Sequence, residues 1–161
     1  MQVRLAFLPM KIIDWPLALA PLFITLLLYH SWKDIRYLYI ENRDLLILGL
    51  FTMVNALTLF LNQNYEVLLS NFLGALLCLA VFLLIWMVTK KKGIGEGELI
   101  FVPIAYFNIG LINAIEALYF CFFSAMLFSL LGLISKRLSK KQALPFIPFL
   151  SAGIVFSLLF P

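Results

Sequence analysis

Charged side chains are scarce in this sequence. Asp, Glu, Lys and Arg make up 12% of its 161 residues, whereas 64% are hydrophobic. Soluble domains carry about 25% charged and about 45–50% apolar residues, and a soluble chain of this size still exposes roughly a third of the surface of its unfolded chain. A soluble globular domain is therefore excluded, and lipid must be the solvent for most of the chain.

Cysteine and histidine are also scarce, with two cysteines and one histidine in the whole sequence. Cys78 and Cys121 stand singly in apolar segments, and we interpret both as small buried residues. The sequence has no CxxC motif, and a single histidine, His30, excludes a histidine-rich metal site. We expect His30 to lie at the level of the lipid headgroups, and we expect no metal or other cofactor.

Long apolar runs predict membrane-spanning helices, because a bilayer core of about 30 Å requires about 20 helical residues. A transmembrane β-barrel is excluded, since its strands alternate apolar and polar residues, whereas runs such as 76–86 do not alternate. The predicted fold class is an all-α, polytopic membrane bundle. It comprises a short interfacial segment, 1–14, and a membrane domain, 15–161, with six spans at 17–32, 45–61, 67–89, 99–111, 115–134 and 146–160.

Basic residues predict the orientation of the bundle. Ten of the twelve Lys and Arg residues lie in the loops that follow the first, third and fifth spans. The positive-inside rule places these loops in the cytoplasm. The run from Lys90 to Lys92 then anchors the chain at lipid headgroups, and we expect the lipid bilayer rather than a nucleic acid as its partner.

Carboxylates near span ends are the first candidates for chemistry, because acids are costly inside a membrane and tend to be functional there. Asp34 directly follows the first span, on a helix that we expect to continue past it. Beside Lys33 and Arg36, its simpler interpretation is that of a solvated acid. Asp44 and Glu66 are interpreted as ordinary span ends that face water.

A glycine-rich turn opens the fourth span. Gly93, Gly95 and Gly97 alternate with other residues, and glycine allows positive φ or close backbone approach. The turn places Glu98 at a helix start, where the macrodipole favours a negative charge. Phosphate or dinucleotide binding is disfavoured, because no strand precedes the turn and no GK[ST] follows it.

Asp34 and Glu98 are predicted to lie on the same face of the membrane. Two carboxylates brought close together cannot both ionise easily, so one of them keeps its proton near neutral pH. The ionised member can deprotonate a water while the protonated one polarises a carbonyl. This pairing predicts acid-protease chemistry, which requires neither a metal nor a nucleophilic side chain.

The chain resembles the type IV prepilin peptidases, a family of GxGD intramembrane aspartic proteases, in three segments. In residues 34–42, Asp34 is followed six residues on by Ile40-Glu41-Asn42, where the family has Ile-Pro-Asn or Ile-Pro-Asp. Residues 93–100 match Gly-x-Gly-Asp-x-Lys, with Glu98 for the aspartate and Ile100 for the lysine. Residues 144–150, LPFIPFL, match the family's proline-phenylalanine segment before the last span.

The resemblance implies removal of the basic leader peptide from prepilin-like substrates at the cytoplasmic face of a bacterial inner membrane. Such substrates are subunits of type IV pili, of type II secretion pseudopili or of DNA-uptake pili. Asp34 and Glu98 would be the catalytic pair, with support from Gly93, Gly95 and Gly97, whereas Glu96 occupies a variable position of the motif. Without CxxC motifs, the chain resembles a short form of the family, for which we expect peptidase but no methyltransferase activity and no zinc.

Two other functions stay open. The exchange to Glu98 and the loss of the lysine at Ile100 favour a catalytically weak or inactive relative that binds pilin-like helices as an assembly factor. A small transporter or channel component is disfavoured, because ion paths usually leave polar residues at mid-membrane.

Overall fold

The structure, a computed structural model, describes residues 19–90, 94–136 and 144–160. The predicted interfacial segment 1–14 and Gly93 lie outside the described residues. Within these ranges the chain forms six α-helices and no strand, as predicted for an all-α bundle. The helices are α1 (Leu19–Tyr37), α2 (Asn42–Leu61), α3 (Tyr65–Val88), α4 (Glu96–Tyr106), α5 (Gly110–Ile134) and α6 (Ile147–Leu159).

Three of these helices, α2, α3 and α5, are long and apolar enough to cross a membrane. The 24 residues of α3, for example, correspond to about 36 Å at 1.5 Å per residue, more than the bilayer core of about 30 Å. The helix α6 is apolar but shorter, with 13 residues. Length and composition thus support a helical membrane protein, and the number of crossings stays a prediction.

The predicted fourth and fifth spans have wrong boundaries. The helix α4 ends at Tyr106 and α5 already begins at Gly110. The side-chain amide of Asn108 donates to carbonyl oxygens of the last turn of α4, at 2.9 and 3.5 Å. Gly110 has a φ of +78°, which glycine adopts without the steric cost that other residues meet. The helix α4 therefore ends at uncharged residues, and no charged residue in the sequence indicates the break between α4 and α5.

The helices run up and down between two polar ends. At the first, which we call the carboxylate end, α1 terminates and α2, α4 and α6 begin. Asp34 of α1 there contacts Ile147 of α6. A Cβ atom placed on Gly97 of α4 would lie 3.5 Å from the Cβ of Ile40, in the segment between α1 and α2.

At the opposite end, which we call the amide end, uncharged polar groups join the helices. Asn108, buried in the turn between α4 and α5, is linked to α2 through two side chains. Further bonds join α3 to α5 and α5 to α6. The bonds run from Asn55 Nδ2 to Asn108 Oδ1 (3.0 Å), Asn108 Nδ2 to Thr52 Oγ1 (2.8 Å), Leu111 N to Ser70 Oγ (3.0 Å), and Asn113 Nδ2 to the Ser157 carbonyl oxygen (3.2 Å).

An apolar core lies between the two ends, and small residues allow its helices to approach closely. Cys78 and Cys121 are buried in this core, as predicted. A Cβ on Gly153 of α6 would lie only 2.4 Å from the carbonyl oxygen of Ala117 of α5. Any larger residue at 153 would therefore separate the two helices, as small-residue interfaces in membrane bundles lead one to expect.

Candidate active site

Asp34 lies in the last turn of α1 and is almost completely buried, with 4% of its surface exposed. The prediction that the helix continues past it is confirmed, since α1 runs to Tyr37. The backbone N–H of Ile147 donates to Asp34 Oδ2, at 2.9 Å. The interpretation of Asp34 as a solvated acid is therefore wrong, because its carboxylate faces the start of α6.

The start of α6 supplies the donors for this carboxylate. Phe146 is the N-cap, Ile147 opens the helix and Pro148 follows it. The first N–H groups of a helix have no partner within the helix, and together with the macrodipole they favour a bound anion. Proline suits this position because it lacks the N–H that would be unpaired there. These backbone amides leave no side-chain signal in the sequence, so analysis of side-chain chemistry missed their role.

Glu98 is the third residue of α4, and its side chain caps that helix. Gly95 is the N-cap, and its N–H donates to Glu98 Oε2 at 3.0 Å. The Glu98 side chain is half-buried, whereas Glu96, two residues earlier, is exposed. A carboxylate offers two oxygens and about four acceptor sites, so one capping bond does not exhaust Glu98.

The two predicted site residues converge on one place. The backbone N–H of Phe146 lowers the pKa of both Asp34 and Glu98, and the negative charge of Asp34 raises the pKa of Glu98. Both carboxyls lie outside the predicted spans, at helix ends. Residues 64 positions apart in the sequence, on two different helices, are thus brought to the same helix start.

Burial shifts the protonation of both acids in the same direction. It raises the pKa of Glu98 to about 7, the negative charge of Asp34 adds to the rise, and the N–H groups of Gly95 and Phe146 oppose it. Burial also raises the pKa of Asp34 from its ordinary value, against the N–H groups of Ile147 and Phe146. A carboxyl with a pKa near neutrality can exchange protons at working pH, as general acids and bases must.

The glycine turn contacts the segment that follows α1. Ile40 is buried, and its Cβ would lie 3.5 Å from a Cβ on Gly97. A Cβ on Gly95 would meet little beyond the distant Glu98 carboxylate oxygen, at 4.0 Å. Gly97 thus allows the glycine turn, in residues 93–100, to pack against the segment 34–42 that begins with Asp34. Gly95 provides the N-cap for the helix that carries Glu98.

Asp44 was expected to face water, and this expectation is wrong. Its surface is only 1% exposed, and its carboxylate forms an ion pair with Lys33 of α1. Tyr29 also donates its hydroxyl to Asp44 Oδ1, at 3.1 Å. His30, expected at headgroup level, is completely buried beside this pair. Glu66, in contrast, is exposed, as expected. The burial of Asp44 could not be predicted from the sequence, because its partners Lys33 and Tyr29 are on another helix.

A surface cleft of about 490 Å³ lies beside the ion pair. Its walls combine three phenol rings with three charged side chains. The lining residues are Tyr29, Lys33, Tyr37, Tyr39, Glu41 and Arg43. The cleft adjoins the end of the helix that carries Asp34, and the sequence analysis did not predict it.

The described residues contain no group of three or more His, Cys, Asp or Glu side chains able to hold a metal ion. The arrangement that they do contain is a pair of carboxylates beside backbone donors. Such a pair, with the pKa of Glu98 raised to about 7, can move a proton to and from a bound reactant. The expectation that no metal takes part stays a prediction.

Comparison with known proteins gives one informative similarity. No protein-family model matches the chain, and no solved structure matches it. The chain is 28% identical over 141 residues to a Bacillus subtilis (strain 168) protein described as a prepilin leader peptidase/N-methyltransferase. The match covers 88% of this chain and 55% of the relative, so the chain spans about half the length of that protein. This similarity supports the relationship to prepilin leader peptidases that the three sequence segments predict.

Proposed function

We propose that this protein is an intramembrane acid peptidase that removes the leader peptide from prepilin-like substrates, with Asp34 and Glu98 as its catalytic pair. The observation that carries the proposal is their convergence on the start of α6: Asp34 accepts the N–H of Ile147, and the N–H of Phe146 lowers the pKa of both acids. The similarity to a prepilin leader peptidase supports the substrate class. The basic loops of the sequence support an active site on the cytoplasmic side of a bacterial inner membrane.

In the proposed reaction, protonated Glu98 donates its proton to the oxygen of the scissile carbonyl, while ionised Asp34 accepts a proton from water. The water oxygen bonds to the carbonyl carbon and forms a tetrahedral diol. The C–N bond then breaks as Asp34 returns its proton to the leaving nitrogen, and Glu98 takes one proton from the diol. Both acids end in their starting states, as general acid–base catalysis requires.

The roles follow from the environments of the two acids. Glu98, with its pKa raised to about 7 by burial, is protonated in a large fraction of molecules at neutral pH. Asp34 accepts a backbone N–H bond at a helix start, which favours its ionised form. We therefore assign Glu98 as the acid and Asp34 as the base.

The test is leader removal from a purified prepilin by the purified protein in lipid vesicles, followed as a shift in gel mobility. We expect cleavage by the parent chain and none by Asp34→Asn, which keeps the shape of the side chain. Mass spectrometry of the product should show a free, unmethylated N-terminal amine, because we propose the peptidase step alone. Absence of cleavage by a folded parent chain against several prepilins would overturn the proposal.

A second candidate, an assembly factor that binds pilin-like helices without cleaving them, is favoured by one contact. Glu98 Oε2 already accepts the capping bond of α4, which is a structural use of the same carboxylate. Stable association of intact prepilin with the parent chain, without leader removal, would favour this candidate.

A further inference from the structure

Three residues of α1 hold the start of α2. Lys33 forms the ion pair with Asp44 and lies 3.2 Å from a carboxylate oxygen of Glu41. Tyr29 donates its hydroxyl to Asp44, and Nε2 of His30 lies 3.2 Å from the Asp44 carbonyl oxygen. Asp44 is therefore contacted through both its side chain and its backbone. We call this set of five residues the clasp.

The centre of the clasp is shielded from water, whereas Tyr29 and the side chain of Glu41 at its edge are exposed. Only 12% of the Lys33 side chain is exposed, and Asp44 and His30 are almost fully buried. A surface ion pair contributes little to structure because water and salt screen it. A buried pair is different, because removal of one partner leaves an uncompensated charge. The relative orientation of α1 and α2 is thus tightly specified at this point.

The clasp lies next to both proposed catalytic groups. Lys33 precedes Asp34 in the chain, so the turn of α1 that bonds Asp44 also carries the carboxylate that bonds Ile147. On the other side, Ile40 lies between the two clasped helices and packs against Gly97, one residue before Glu98. A rotation of α1 or a shift of the α1–α2 segment would therefore move one carboxylate relative to the other.

We infer that Asp44, through its clasp with Lys33 and Tyr29, is a positioning residue that sets the placement of Asp34 relative to Glu98. This inference rests on the proposed function. The expected cost of losing it is a loss in rate, since a misplacement of about 1 Å can lower a rate about a hundredfold. Asp44 does not touch the reacting atoms, so binding of the substrate should change little.

The first test compares Asp44→Asn with the parent chain in the prepilin cleavage assay. Asparagine keeps the shape and can still accept the Tyr29 hydroxyl, but it removes the negative charge beside Lys33. We expect kcat per folded protein to fall about tenfold to a hundredfold and KM to stay within about twofold. We also expect the basic limb of the pH–rate profile to move, because the charge of nearby Asp34 contributes to the raised pKa of Glu98. The matched control is Glu66→Gln, an exposed acid in the first turn of α3, which should leave all three quantities unchanged.

A milder variant keeps the test valid if Asp44→Asn does not fold. Tyr29→Phe removes one hydroxyl and leaves no charge unpaired. We expect a smaller loss of kcat, about twofold to fivefold, since only one neutral hydrogen bond is lost. Unchanged kcat and an unchanged pH profile in both folded variants would overturn the inference, because a purely structural role would lower only the stability.

A second measurement does not require catalysis. In a chain with Cys78→Ala and Cys121→Ala, the double change Ile40→Cys and Gly97→Cys should form a disulfide on mild oxidation, because the 3.5 Å Cβ separation lies within the range of natural disulfides. Adding Asp44→Asn should slow this cross-link about tenfold. An unchanged cross-linking rate would refute the positioning role. If the double-cysteine chain cross-links as expected but the parent chain cleaves no prepilin, the proposed function alone would be refuted.

Discussion

At the amide end, helices are joined by carboxamides and hydroxyls, whereas at the carboxylate end they are joined by acids, a lysine and backbone N–H groups. Asn108 illustrates the first kind of contact, because it is buried and bonded to Thr52 and Asn55. Asp34 illustrates the second, because it is equally enclosed but carries an ionisable group. Neutral amides in a membrane bundle stabilise helix contacts by modest amounts. Buried acids cost more and persist where they have a function.

Burial of polar side chains therefore does not by itself indicate a catalytic site in this protein. Both ends have buried polar side chains, and the two acids whose pKa values burial raises, Asp34 and Glu98, lie at the carboxylate end. We therefore expect substitutions at the carboxylate end to change the rate and substitutions at the amide end to change the stability.

The largest effect should come from Glu98→Gln. Glutamine can occupy the same capping position, so α4 should persist, but it cannot donate and retake a proton. We expect cleavage to fall at least about a thousandfold, in line with the loss of one member of a catalytic unit. The measurement is the initial rate of leader removal.

The matched control for Glu98→Gln is Glu96→Gln. Glu96 lies in the same turn but is exposed, and we expect a rate within about twofold of the parent, as for surface changes away from special features. Equal losses of rate in both variants would mean that any negative charge near the glycine turn affects cleavage. That result would contradict the assignment of Glu98 as the catalytic acid.

Glu98→Asp should have the next largest effect. The shorter side chain keeps the acid but withdraws it by about 1 Å or more, and it reaches the Gly95 N–H less well. The sequence pattern of the family suggests that aspartate fits this position. The capping bond at 3.0 Å, however, indicates a turn built around glutamate. We expect a measurable rate that is lower by about tenfold to a hundredfold. A rate above that of the parent would mark the chain as a weakened relative.

The sequence predicted the helices and the single candidate residues better than the contacts between helices. Apolar runs predicted the helices, because a chain that crosses lipid needs long apolar helices. The position of Asp34 directly after the first run predicted it as a candidate site residue. The break before Gly110 was missed, because Asn108 and Gly110, which favour a helix end, lie within an otherwise apolar run without charge. Asp44 was missed because an acid and a lysine 11 positions apart each resemble a solvated charge until two helices bring them together.

The third prediction concerns pH. Because the pKa of Glu98 is raised to about 7, the acid form is lost as the pH rises through that value, and kcat/KM should fall about tenfold per pH unit above it. Because the pKa of Asp34 is raised from its ordinary value, its base form is lost as the pH falls through that raised pKa, which gives an acid limb. Rates from pH 4 to 9 would test this bell shape. A rate that rises steadily to pH 9, in a chain that stays folded, would contradict the assignment of Glu98 as the acid.

The smallest effect on rate should come from the amide end, and Asn108→Ala tests it. This change removes the acceptor of Asn55 and the donor to Thr52, and it removes the bonds that end α4. An unpaired buried group costs about 1–3 kcal/mol, but cross-helix bonds in membranes average only about 0.6 kcal/mol. We therefore expect the free energy of unfolding in detergent to fall by about 1–2 kcal/mol, with kcat per folded protein within about twofold.

The matched control for Asn108→Ala is Asn64→Ala. Asn64 is exposed and makes no side-chain capping bond at the start of α3, so we expect the free energy of unfolding to change by less than about 0.5 kcal/mol. If Asn108→Ala instead lowered kcat tenfold without a loss of stability, the amide end would be coupled to the site through α4. This 11-residue helix carries Glu98 in its first turn and ends beside Asn108. In that case the division between a neutral end that holds the helices and a charged end that performs the chemistry would fail. The stability and the rate of this one variant, measured on the same preparation, decide between the two.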